Sequence, residues 1–281
     1  MEVRLTTLNY AAEPKVAIIM HGKEGTGKSL FLASAFANVK TGEPTGRTGK
    51  ILDVEGRLGH LRVPADIIED MRPAYGKPEG IVGDKGKLRT WLSRYLRDIN
   101  AGKAPYDVIG IDSITELQFL IRLGMAKSAN SENSREDEEV LSQRSWGLLG
   151  DRLAYDIGYM RPRYTKAHLI VTAYSQDDRD NPKVLEAIER PALQGALADK
   201  IGHFFDFIIY VENTRIGRGE NAKVVHRYHF TSTGDFKTKN IYEHEGRLPA
   251  YIDGTADDPM TFDKMLSYIK TVEVTKDDKN E

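Results

Sequence analysis

The stretch HGKEGTGKSL at 21–30 constrains this chain more than any other. It is preceded by a compact apolar run, KVAIIMHG at 15–22, and runs on into KSLFLASAFANV at 28–39, which is rich in good helix formers. An apolar run of that length reads as a strand buried on both faces, as in a parallel sheet. Between strand and helix stand a glycine, four residues and then Gly27-Lys28-Ser29. Gly22, Gly25 and Gly27 let the backbone wrap closely, with its N–H groups turned inward. A concavity of that kind at the start of a helix receives phosphate, and the helix dipole adds to the attraction. The pattern therefore assigns Gly22, Lys23, Glu24, Gly25, Thr26, Gly27, Lys28, Ser29 and Leu30 to nucleotide binding. Lys28 is the residue that reaches the β- and γ-phosphates, and Ser29 the hydroxyl that holds Mg²⁺. A chance match in a chain of this length is roughly 1 in 100.

Phosphate loops serve kinases, switches, motors and recombinases alike, so the use of the nucleotide must be read from the rest of the chain. Its 281 residues suit one large α/β domain with a small appendage. With no cysteine, thiol catalysis, disulfides and Cys-ligated metals are excluded together, which fits a reducing cytoplasm. No apolar run reaches the ~18 residues that a membrane span needs. At a net charge of -2 the molecule is not a polycation, so any nucleic-acid binding must come from local patches or from assembly.

Further apolar runs, KILDVEG (50–56), YDVIGIDS (106–113), AHLIVTAYS (167–175) and FFDFIIYVE (204–212), read as strands. Helical spacing is clear over 85–101, 114–129 and 140–160, and a last helix fits 259–270. The segment 57–84 is rich in proline and glycine and reads as short helices and loops, and 130–139 as an acidic loop. KVVHRYHFTST (223–233) alternates, as an antiparallel strand does; His226 and His229 in it read as surface residues. The expectation is an α/β fold with a mostly parallel central sheet flanked by helices and an antiparallel extension in the C-terminal part. It divides into a nucleotide-binding domain over 1–255, a C-terminal helix over 256–270 and a charged, disordered tail over 271–281.

A magnesium ion on a phosphate loop wants a carboxylate at the end of a buried strand. Asp112 in DVIGIDS is placed for it, although an Asp there can also cap the helix that begins near Ile114. Many motors carry Glu immediately after this Asp to orient the attacking water. Here the next residue is Ser113, so a hydrolase needs its carboxylate from elsewhere. Glu55 ends another strand of the sheet. Parallel strands bring their C-terminal ends to one edge, where ligands bind, so Glu55, Asp112 and the loop should converge.

The acidic strand end LDVEG, the strand ending in Asp112-Ser113, SWGLLGDRL (145–153), VTAYSQ (171–176) and RPALQGALADKIGHFFDFIIYV (190–211) together resemble the RecA-like ATPases, a group that includes RecA, RadA and KaiC. The layout is most similar to the compact phage-encoded members linked to single-strand annealing and recombination, over roughly 15–253. The resemblance implies ATP as the nucleotide, Glu55 as catalytic base and Gln176 as the sensor of the γ-phosphate. It also implies a homo-oligomer in which Lys237 and Lys239 of GDFKTKN reach the neighbouring subunit's site as a finger. Such a pair can equally be edge-protecting lysines. The implied partners are single-stranded DNA and, beyond it, a single-strand-binding or other recombination protein. The implied location is the cytoplasm, that of a bacterial host if the chain is phage-encoded.

Candidate DNA-binding residues in the sequence are Arg179, Lys183 and Arg190, the helix cations Lys87, Arg94 and Arg97, and Arg161, Arg163 and Lys166 beside Tyr159 and Tyr164. Each also reads as a solvated face. Two alternatives stand beside the DNA-coupled ATPase: an ATPase that regulates a protein partner, as in the KaiC group, and a small-molecule kinase. The seven histidines show no metal-binding spacing.

Overall fold

A computed structural model of the chain describes residues 14–70, 106–130, 143–177, 189–194, 196–219 and 222–270. The expected helix over 85–101, the acidic loop after Asn130 and the charged tail lie outside the described residues.

The phosphate-loop strand β1 (Ala17–Gly22) is followed by α1 (Lys28–Ala33), β2 (Gly49–Asp53) and β3 (Ile68–Asp70). Next come β4 (Val108–Asp112), α2 (Ile114–Asn130), α3 (Gln143–Met160), α4 (Pro162–Thr165) and β5 (His168–Asp177). The C-terminal part holds β6 (Glu189–Pro191), α5 (Ala196–Lys200), β7 (Phe207–Ile216), β8 (Lys223–His229), β9 (Lys239–Asn240), β10 (Tyr251–Gly254) and α6 (Phe262–Lys270).

One sheet runs in the order β10-β8-β7-β1-β5-β4-β2-β3, with β6 on β5 and β9 on β7. From β7 through β3 every neighbouring pair is parallel, while β8, β10, β6 and β9 are antiparallel to their neighbours. The expected α/β architecture with its antiparallel C-terminal extension is therefore what the chain adopts.

Alternate residues of the strands feed two apolar layers. Ala17, Ile19, Ile109, Ile111, Leu169 and Val171 pack on α2, α3 and α5. Ile18, Met20, Ile170, Ile209 and Val211 pack on α1 and α6. Both faces are covered, which is why these strands read as unbroken apolar runs.

Two elements differ from the sequence reading. The helix expected over 28–39 ends at Ala33 and tightens into Ala35 N→Leu32 O and Phe36 N→Ala33 O turns. Ser34 sits at the break, its hydroxyl donating to Phe31 O and accepting from Phe262 N. The second is β3, only three residues long, which adds a parallel edge to β2 inside the segment expected to be loop and short helix. Three residues on the sheet edge carry too little periodicity to show as a strand.

The C-terminal helix is part of the same core. Phe262 is fully buried, edge-on to His168 with ring centroids 4.9 Å apart and to Phe31 at 6.3 Å. Truncating it leaves a cavity between α1, β5 and α6. Phe262→Ala is expected to lower the unfolding free energy by about 3–5 kcal/mol, seen as a fall in the urea midpoint with an unchanged slope.

Candidate active site

Strand β1 ends at Gly22, where a side chain would collide with the Val211 carbonyl of β7: a Cβ there would lie 2.0 Å from its oxygen. Gly27 has φ 92° and rests on Tyr228 and His226 of β8, within 3.2 Å of where a Cβ would be. Both positions thus require glycine for close approach, and the second also for its left-handed backbone. From beneath, Tyr228 donates its hydroxyl to Gly27 O at 3.4 Å. Asn213 of β7 donates to Gly25 O at 3.4 Å and shares a 2.7 Å hydrogen bond with His226. The antiparallel strands β7 and β8 are therefore the floor of the phosphate loop.

Lys28 is buried, and its ammonium donates to Gly22 O at 2.8 Å and Lys23 O at 2.7 Å. Burial pulls its pKa from 10.5 down to about 8, against the opposing pull of Asp112, Glu55 and Glu24. Asp112 ends β4, two strands away. Its Oδ1 accepts a short hydrogen bond from Thr172, and its buried Oδ2 has no hydrogen-bond partner among the described residues. Burial, with Glu55 and Asp53 nearby, lifts its carboxyl from 3.8 to about 6; the hydroxyls of Thr172 and Ser29 work against the lift. A buried carboxylate oxygen with no donor, beside the Ser29 hydroxyl, is a donor set that fits Mg²⁺.

Glu55 is placed by its neighbour in the sequence. Asp53 accepts from Gly56 N at 2.8 Å, Arg57 N at 3.1 Å and Leu58 N at 2.9 Å, which curls the chain at the end of β2. Val54 N and Glu55 N both donate to Asp112 O, at 2.7 and 3.2 Å. The curl turns Glu55 towards β5, where Tyr174 donates its hydroxyl to Oε2 at 3.0 Å, with the Arg57 guanidinium 3.7 Å away. Arg57 also pairs with Glu24 of the phosphate loop. A cavity of about 390 Å³ results, lined by the loop from Glu24 to Leu30 together with Glu55, Arg57, His60, Leu61, Asp112, Tyr174 and His226.

The structure thus gathers Glu24, Gly25, Thr26, Gly27, Lys28, Ser29, Leu30, Glu55 and Asp112 around one cavity; Gly22 and Lys23 enter through the carbonyls that hold Lys28. Gln176 does not line it. It lies two residues beyond Tyr174 on β5, in register with Arg190 of β6. Lys237 and Lys239 do not line it either. Lys239 donates to Gly202 O at 3.0 Å and Phe205 O at 2.7 Å of its own chain. Arg179, Lys183, Lys87, Arg94 and Arg97 lie outside the described residues.

Several participants carry no signal of their own in the sequence. Arg57, Thr172, Tyr174 and Asn213 act by touching segments distant along the chain, and Asp53 by gathering the N–H groups three to five residues on. The two histidines of β8 are corrected: His226 lines the cavity, and His229 is buried and bonded to Glu212 at 2.9 Å, because β7 runs alongside the whole of β8.

His21, one residue before the loop, is a further junction. Fully buried, it is bonded to Lys237 O at 2.7 Å through Nε2 and to Ser175 Oγ at 2.9 Å through Nδ1. A carbonyl only accepts, so Nε2 carries the hydrogen and Nδ1 accepts from Ser175. The neutral ring ties β1 to the end of β5 and to the segment bearing Lys237.

This strand-loop-helix with its converging acids defines a P-loop nucleotide-binding protein with an α/β fold. Residues 14–240 match the AAA domain family, and the chain belongs to that family. No curated protein matches the sequence. Among solved structures, a KaiC-like protein of the hyperthermophilic archaeon Pyrococcus horikoshii OT3 is similar, at 13% identity and a TM-score of 0.35, the match covering 79% of this chain and 83% of that one.

Burial lowers the pKa of His21 from 6.5 to about 4. Unfolded chains therefore take up its proton below pH 6.5 while the folded protein does not, and stability is lost as pH falls from 6.5 to 4, by roughly 3 kcal/mol. Asp112 acts with the opposite sign, since its folded pKa lies above its ordinary one. His21→Gln can keep both hydrogen bonds without titrating. Urea unfolding at pH 7 and pH 4 should show this variant gaining roughly 3 kcal/mol on the wild type at the lower pH.

Proposed function

We propose that the chain binds ATP with Mg²⁺ and hydrolyses it, and that it couples the cycle to single-stranded DNA as an oligomer. The observation that carries the hydrolytic part is the meeting of Lys28, Ser29, the unpartnered Asp112 oxygen and Glu55 around one cavity. Loop amides and Lys28 hold the phosphates, while Ser29 and Asp112 are the residues that would hold the metal. Bound there, Mg²⁺ supplies positive charge to the phosphate oxygens. Glu55 accepts the proton of the water that attacks the γ-phosphorus, and ADP departs with the bridging oxygen. Tyr174 and Arg57 hold the Glu55 carboxylate in place for that transfer.

The DNA part is supported by the resemblance of VTAYSQ, SWGLLGDRL and the segment 190–211 to the phage-encoded RecA-like group. In this reading Gln176, at the far end of the strand that carries Tyr174, senses the γ-phosphate. Lys237 and Lys239 then serve the neighbouring subunit's site. A Lys239 finger must first leave the Gly202 and Phe205 carbonyls, so assembly and finger release are one step.

Glu55→Gln is expected to lower ATP turnover by about 10²–10⁴-fold while ATP affinity stays within a few-fold. Lys28→Ala should abolish binding itself, and single strands at low salt should raise wild-type turnover. Full turnover in Glu55→Gln would refute the assignment of the base, and turnover indifferent to DNA would refute the coupling. Affinity for Mg²⁺–ATP should also peak between pH about 6 and about 8. Asp112 loses its charge to a proton below the first value and Lys28 loses its own above the second. Titration with a fluorescent ATP analogue from pH 5 to 9 tests this.

A further inference from the structure

Outside the nucleotide site, the end of α3 and the short α4 present a ladder of aromatic rings. Tyr155, Tyr159 and Tyr164 are 63%, 38% and 47% exposed. Neighbouring rings lie against one another, with centroids 4.5 Å apart for Tyr155 and Tyr159 and 5.3 Å for Tyr159 and Tyr164. Arg163 lies over the Tyr164 ring at 4.5 Å. Tyr159 and Tyr164 are stacked, with their planes 24° apart, and Tyr155 leans on Tyr159 at 49°.

The chemistry of the patch is uniform. From Tyr155 to Lys166 the exposed residues are Tyr155, Tyr159, Arg163, Tyr164 and Lys166, all tyrosines or cations. The aliphatic side chains of this stretch, Ile157 and Met160, are buried, and so is its one acid, Asp156. One turn before Tyr155, Asp151 is paired with Lys200 at 2.9 Å. Arg161 is held against the body by the carbonyls of Gly158 and His203 and by the Phe204 ring, and adds its charge from behind. Lys166 ends α4 with φ 60°, a left-handed conformation that glycine adopts at lower cost, so a cation occupies a position the backbone alone would give to glycine. In a chain of net charge -2, this is a local excess of positive charge with no accessible anion among the exposed residues of the stretch.

A partner that fits must offer flat apolar faces and negative charge together. A protein partner would have to bring its flat faces and its negative charge on separate side chains, and a duplex hides its base faces. Unpaired bases on a phosphate backbone supply both needs: rings stack on rings, and Arg163 and Lys166 meet phosphates. We propose that Tyr155, Tyr159 and Tyr164, flanked by Arg163 and Lys166, form a stacking platform for single-stranded nucleic acid. This rests on the single-strand reading above and gives it a surface. The platform leads into β5 at His168, and Tyr174 further along the same strand lines the nucleotide cavity, roughly 20 Å away at the usual strand rise.

The test is fluorescence anisotropy of labelled oligo-dT at low salt with the full chain. Four proteins are compared: wild type, Tyr155→Ala/Tyr159→Ala, Tyr155→Phe/Tyr159→Phe, and Arg163→Ala/Lys166→Ala. The tyrosine-to-alanine pair should lose roughly ten-fold in affinity per ring, and the phenylalanine pair should bind like wild type. The cation pair should weaken binding and reduce the slope of log affinity against log salt by about 0.7 for each phosphate left unneutralised. ATP turnover without DNA should match the wild type in all three variants. Wild-type affinity in the alanine pair would overturn the platform while leaving the DNA reading standing. A change in sedimentation instead of DNA binding would make this a self-association face and also overturn it. A wild type that binds no single strand would overturn both.

Discussion

The ammonium of Lys28 is the charge around which the rest of the site is arranged. It is a buried cation whose solvent has been replaced by the carbonyls of Gly22 and Lys23. Those carbonyls face it only because the loop closes tightly between β1 and α1, and the loop closes only because Gly22 and Gly27 can approach β7 and β8 so nearly. Burying one charge stabilises opposite charges nearby and penalises uncompensated ones. Asp112 and Glu55 meet that condition from neighbouring strands. The burial of Asp112, with the repulsion of Glu55 added, outweighs the hydrogen bonding of Thr172 and Ser29, and the Asp112 carboxyl rises to about 6. The site therefore holds a cation that sheds its proton more easily than usual and a carboxylate that keeps its proton more readily. Ligands of opposite charge return both to ordinary ionisation. Bound phosphate would restore Lys28 and a bound metal would restore Asp112, so each ligand would improve the site for the other.

The strands carried their identity in the sequence because they are covered on both faces. Runs such as VAIIM and VIGID have no polar face to interrupt them, and their length and flanking turns place them without knowledge of their neighbours. The same locality explains Lys28, Ser29 and Asp112, whose places around the cavity follow from spacing next to a strand. Glu55 was legible by a weaker argument, since parallel strands share an edge.

What escaped depends on pairing. Asp53 has no signature of its own, and its three backbone hydrogen bonds exist only once the chain has curled back at the end of β2. Thr172 and Tyr174 look like ordinary β-strand residues until β5 is inserted between β1 and β4. The partners of His226 and His229 follow from β7 lying alongside β8, a register of seven paired residues that no local pattern announces. The early end of α1 is likewise tertiary: the Ser34 hydroxyl that meets Phe31 O also receives the backbone N–H of Phe262 from the far end of the chain.

Strand β5 has a special position in this architecture. Thr172 bonds Asp112, Tyr174 bonds Glu55, and Ser175 bonds His21, so residues towards its C-terminal end touch both carboxylates of the cavity and the ring that leads to Lys237. Its other end, from His168 to Val171, is buried between β1 and β4 and hydrogen-bonded on both sides. A strand so fixed does not deform along its length, because close-packed cores resist continuous change. Events at the nucleotide must therefore reach the rest of the molecule through the side chains at the strand's C-terminal end, or by movement of the strand with its neighbours as one body. The first route leads through His21 to the Lys237 segment, while the second carries the Tyr155–Tyr164 surface along with the sheet. A change at the nucleotide cavity is thus linked to the Lys237 segment by a chain of hydrogen bonds, and to the aromatic surface only by rigid displacement.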